Sequence, residues 1–162
     1  MRVTTCGALA APLFAGLALA GAANAAVAGT QTFDQTYPVA SALCAKAPAG
    51  TLPKRLEENK AAVITACNTL QDAFGPLQSA VTSAEQQYSS TVASEQAKVH
   101  AVCPPTTAAG RPACRSARQA ALAADGAARS TRRAAVLTYH GSVETNREAF
   151  WTTISNLRSS TS

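Results

Sequence analysis

Residues 56–88, LEENKAAVITACNTLQDAFGPLQSAVTSAEQQY, decide how this chain folds. Leu56, Val63, Leu70, Leu77 and Ala84 recur every seven positions, and so do Lys60, Cys67, Phe74, Val81 and Tyr88. Only Lys60 is polar. Interleaved, the two rows alternate steps of three and four, the seam of a helix lying lengthwise on a partner. The phase passes through Gly75-Pro76, a pair that ordinarily ends a helix. A kinked but nearly continuous helix, or two helices stacked end to end, accounts for that. After Tyr88 the seam drifts to Val92, Val99 and Val102, interrupted by Glu95, as an undistorted helix drifts from a strict heptad.

The partner follows Cys114. Ala113, Ala117, Ala120, Ala124, Ala127, Thr131, Ala134 and Thr138 alternate in the same way, and alanine has the highest helix propensity. Beyond Gly141 the stripe changes phase to Val143, Phe150, Ile154 and Leu157, with Trp151 beside it, which places a bend near Gly141. Residues 54–102 and 113–158 would each span about 70 Å as helix. The expected fold is therefore all-α, a long antiparallel helical hairpin of coiled-coil type. In it Leu56–Phe74 face the Val143–Leu157 end, and Leu77–Val102 face the alanine seam. A compact four-helix bundle broken at Gly75 and Gly141 is the rival. No stretch carries a strand pattern.

Between the arms runs CPPTTAAGRPAC, residues 103–114. Pro104 and Pro105 stop the first arm, since the ring removes a donor and clashes with the preceding turn. Gly110 and Pro112 suit the start of the second. Upstream, TYPVASALCAKAPAG (residues 36–50) holds one short helix, with Pro38 in its first turn and Pro48 to Gly50 ending it.

The first 25 residues read as an export signal. Arg2 precedes an uncharged apolar run from Gly7 to Gly21, and Ala23-Asn24-Ala25 is a small-x-small cleavage pattern. An uncleaved anchor is the alternative, though the run is only weakly apolar in its second half. The expected organisation is a signal peptide (1–25), a flexible mature terminus (26–36), one helical domain (37–158) and a tail (159–162). Without the leader and its Cys6, four cysteines remain. An even count in an exported chain implies two disulfides, with three pairings open. The hairpin selects Cys44–Cys67, pinning the short helix, and Cys103–Cys114, stapling the tip.

Catalysis lacks parts. There are two histidines, His100 and His140, and no GxSxG elbow, glycine-rich phosphate loop or CxxCH motif. His140 falls near the inner stripe, which reads as a partly buried, hydrogen-bonded position. Glu144 and Glu148, with Arg147 between them, read as a solvated salt-bridging face. His100 and Cys103 at helical spacing, with Cys114, form the one candidate metal or thiol-redox set. It lacks a fourth ligand, so no metal and no cofactor are expected.

Charge is the uneven feature. The chain beyond Arg2 has thirteen Lys and Arg against nine Asp and Glu, a net +4 that demands no polyanionic partner. Yet Arg111, Arg115, Arg118, Arg129, Arg132 and Arg133 cluster, opposed only by Asp125. They fall on one side of the second arm, a solvated face or a contact surface for anionic polymer, lipid headgroups or an acidic protein. No aromatic residues interleave with them, which argues against nucleic acid. The expected protein is an exported, non-catalytic helical interaction or structural protein of the envelope or extracellular space. The alternatives are a metal-binding or thiol-redox protein, and a secreted enzyme inhibitor with the tip loop as its inserted element. An alanine seam also leaves room for a second copy, so a homodimer stands beside the monomer.

Overall fold

A computed structural model describes residues 30–104 and 107–160. The expected leader (1–25), residues 26–29, Pro105, Thr106 and the last two residues of the tail lie outside them. The elements are α1 (Phe33–Thr36), α2 (Pro38–Ala49), α3 (Lys54–Glu57), α4 (Lys60–Val102), a 3-10 turn (Ala108–Gly110) and α5 (Arg111–Ser159). No strand occurs among the described residues. The chain forms the long hairpin, not the four-helix bundle. α4 runs 43 residues through Gly75 and Pro76, and α5 runs 49 residues through Gly141.

The arms are antiparallel and keep their register. Cys103 meets Cys114 at the tip, Glu85 meets Arg132 in the middle, and Asn59 meets Leu157 at the base, the contacts receding in step along both helices. At the base, Asn59 Nδ2 donates to the Leu157 carbonyl at 3.1 Å. That satisfies one of the carbonyls a helix C-terminus leaves without an intrahelical donor.

The large apolar side chains gather at the base and middle of the hairpin. Leu56, Val63, Leu70, Phe74 and Val81 bury against Tyr139, Phe150 and Ile154. Within the stretch expected to be a flexible terminus, residues 33–36 instead form a capped turn. The Thr32 side chain accepts from the Gln35 N–H, and Gln35 Oε1 accepts from the Thr32 N–H at 2.9 Å, a capping box. This turn sets Phe33 and Tyr37 against Phe74, with ring centroids 5.9 and 6.1 Å away. Burial pushes the Tyr37 hydroxyl above its ordinary pKa, and the hydroxyl donates to the Val143 carbonyl. α2 ends at Gly50, whose φ of 67° lies in the left-handed region that favours glycine. Cys44–Cys67 bonds α2 to α4, with Cα atoms 5.5 Å apart.

Of the expected alanine seam, Ala117 and Ala124 face inward, and the other six positions lie one residue away from the inward stripe. The inward positions on α5 are Cys114, Ala117, Ala121, Ala124, Ala128 and Arg132, continuing through Tyr139 and Val143 to Phe150 and Ile154. Ala113, Ala120, Ala127, Thr131, Ala134 and Thr138 are exposed. One 3.6-residue stripe therefore runs the whole helix, and the phase change expected near Gly141 disappears. Gly141 is exposed within this unbroken helix, and a Cβ there would meet nothing within 4 Å. Gly141→Ala is expected to stabilise the fold by about 0.5–1 kcal/mol through lost unfolded-state entropy. A raised urea midpoint with an unchanged slope would show it.

Candidate functional site

The tip half of the hairpin differs electrostatically from the base. From Leu77 to Tyr139, seven Lys and Arg oppose three acids, whereas in the rest of the described chain six oppose six. All of the described chain's net charge therefore sits in the tip half. Each of the three acids there is engaged. Glu85 pairs with Arg132 at 2.5 Å, Glu95 with Lys98 at 2.5 Å, and Asp125 with Arg129 at 2.7 Å. Arg111, Arg115, Arg118 and Arg133 are exposed and have no acid within ion-pair distance among the described residues.

Arg132 does not belong to that exposed set. It is 7% exposed, turned into the seam between the arms, with its guanidinium carbon 5.1 Å from the Tyr88 ring centroid. Expecting it outside followed from the misplaced seam, because shifting the stripe by one residue brings position 132 inward. Here α5 carries alanines on either side, so the gap between the arms has room for a long side chain. Glu85 on α4 supplies the countercharge and Tyr88 a π-face. Asp125 lies half-buried beside this layer, and its hydrogen bond raises the Arg129 pKa. Arg129 stays exposed, but its charge is matched. The sign that marks Arg132 in the sequence is the Ile154–Phe150–Val143–Tyr139 stripe, which reaches position 132 when followed back in helical steps.

The remaining α5 arginines form a row. At about 100° per residue, Arg111, Arg115, Arg118, Leu122, Arg129 and Arg133 fall within an arc of about 60°. Leu122 is 56% exposed in the middle of this row. The side chains project from a single rigid helix flanking the seam, so their spacing is set by the backbone.

The other candidate groups come together less well. Cys103 and Cys114 are bonded to each other, with Cα atoms 5.2 Å apart, and His100 is exposed. Among the described residues no cluster of three or more His, Cys, Asp or Glu could hold a metal ion. His140 is exposed beside Tyr139, and so lacks the partly buried position expected of it. Glu144 pairs with Arg147 as a surface ion pair. An open groove of about 450 Å³ runs between the arms in the base half, lined by Ala62, Thr65, Ala66, Thr69, Ala73 and Phe150 among others. The Thr65 and Thr69 hydroxyls bond to carbonyls one turn back on their own helix, so the groove offers a ligand mainly methyl groups there.

Comparison of the chain with protein-family models, with curated proteins and with solved structures finds no match.

Proposed function

We propose that this protein is a non-catalytic interaction protein of an oxidising, extracytoplasmic compartment, and that it binds anionic partners through Arg111, Arg115, Arg118 and Arg133. The observation that carries the reading is the charge arrangement of the tip half. Every acid there is matched by a base, and four arginines on one helix side are left exposed to solvent. Arginine presents a planar fork that suits carboxylate, sulfate and phosphate oxygens. Two disulfides fit an oxidising compartment. The described residues contain no helix long and apolar enough to cross a membrane. The base half, neutral and apolar inside, holds the two arms together at one end, and the Cys103–Cys114 bond closes the charged half at the other.

Retention of the oxidised protein on immobilised heparin, a lipid-free polyanion, tests this reading. The unmodified chain is expected to bind at low salt and elute as salt rises. Substituting glutamine at 111, 115, 118 and 133 together should make log affinity less steeply dependent on log salt by about 3 to 3.6, roughly 0.7–0.9 for each of the four lost contacts. These side chains are exposed, so the thermal midpoint should not move. Unchanged retention in the substituted protein would end the proposal.

A further inference from the structure

We infer that the arginine row is a docking face for the surface of an anionic phospholipid bilayer. This rests on the anion-binding reading above and names the partner class for the same residues. Three observations select a bilayer over other anions. The first is shape. The row from Arg111 to Arg133 extends about 33 Å along one helix. A planar charged surface reaches every member at once, whereas a compact anion touches only neighbours. The second is composition. Leu122, 56% exposed, stands among the arginines, and Leu137, 62% exposed, lies a little further round the same helix. A hydrated polyanion offers these leucines nothing, but the boundary between headgroups and acyl chains covers them. Arginine side chains complement them, laying their stems along apolar surface while the guanidinium stays among phosphates.

The third observation is the handling of negative charge. Asp125, the one acid on this stretch of α5, is half-buried and ion-paired to Arg129. On α4 across the tip half, the exposed surface includes Gln86, Gln87, Ser89, Ser90 and Gln96. Glu85 and Glu95 are half-buried and paired there. A bilayer with a negative surface meets no unmatched acid when the tip half lies flat on it. The rod would rest on the headgroups without entering the hydrocarbon core.

Vesicle binding by the oxidised full chain tests the inference, with equimolar phosphatidylglycerol–phosphatidylcholine vesicles set against pure phosphatidylcholine. Binding to the anionic vesicles alone is expected. Each exposed arginine replaced by glutamine should lower the partition coefficient about fivefold. Leu122→Gln, at a solvent-facing site, should also lower it about fivefold. Leu122→Gln should leave heparin retention and the thermal midpoint unchanged. If Leu122→Gln binds anionic vesicles as tightly as the unmodified chain, the bilayer inference falls and the broader anion reading stands. Heparin retention without vesicle binding has the same consequence. If neither heparin nor anionic vesicles bind, both fall together.

Discussion

Ile154→Ala is expected to lower stability by about 3–4 kcal/mol, lost transfer energy and cavity cost together. Ile154 is 0% exposed and lies in the cluster that contains Leu56, Val63, Phe74 and Phe150. Its neighbours come from both long arms, so the cavity cannot close by shifting one helix alone. For a domain of this size the thermal midpoint should fall by about 10–15 °C. Leu137→Ala removes a similar side chain from a site 62% exposed, and should change stability by about 0.5 kcal/mol or less. Urea titrations of the two variants check the contrast. A near-neutral Ile154→Ala would mean that the base half is not where the hairpin is held together.

Removing the tip disulfide should act locally. With Cys103 and Cys114 both replaced by serine, the base half keeps its core, while the ends of α4 and α5 lose the covalent bond joining them. The bond closes a loop of sequence separation 11, which by the chain-entropy argument is worth about 3 kcal/mol. Few side chains compensate. Among the described residues of the tip half the buried ones are Val81, Ala84, Cys114, Arg132 and Tyr139, and Val81 and Tyr139 already belong to the main core cluster. Amide exchange near Val99 and Ala117 is therefore expected to speed up about a hundredfold, a factor of ten for each 1.4 kcal/mol. Exchange near Val63 and Ile154 should stay within a few-fold of the unmodified chain. Equal acceleration in both halves would contradict the picture of a strong base and a stapled, weakly packed tip.

The two arms are unequally legible in sequence, for a physical reason. On the base half of α4 the buried positions are Val63, Cys67, Leu70 and Phe74 and the outward ones mostly Ala, Thr, Asn and Gln, so periodicity has contrast there and fixes the seam to the residue. On the tip half of α5 alanine occupies inward positions such as Ala121 and Ala128 and outward ones such as Ala120 and Ala127. A pattern with no contrast between faces fixes the presence of a helix but not its rotation. The rotation comes from the large residues at the far end, Phe150 and Ile154, through a helix that does not break. The same ambiguity hides Arg132, because a charge is assigned to solvent unless a partner across the seam is known. Phe33 carries no periodic signal, since its turn is a single one, stabilised by a capping box and by Phe74, a residue distant in sequence. The exposed positions of Arg111, Arg115, Arg118 and Arg133 are readable from local sequence. Their freedom from acids is not, since it depends on Glu85 and Glu95 being paired elsewhere.

Antiparallel pairing also decides what kind of field the tip projects. The C-terminal end of α4 lies beside the N-terminal end of α5, joined through Cys103 and Cys114. Their macrodipoles, each about half an elementary charge at a terminus, oppose and largely cancel there. What remains is guanidinium charge, which at physiological ionic strength fades over about 8 Å. That is short beside a row about 33 Å long. Each arginine thus senses its neighbours on the row and whatever comes within about 8 Å, so the field of the row is a contact-range one that does not reach far into solution.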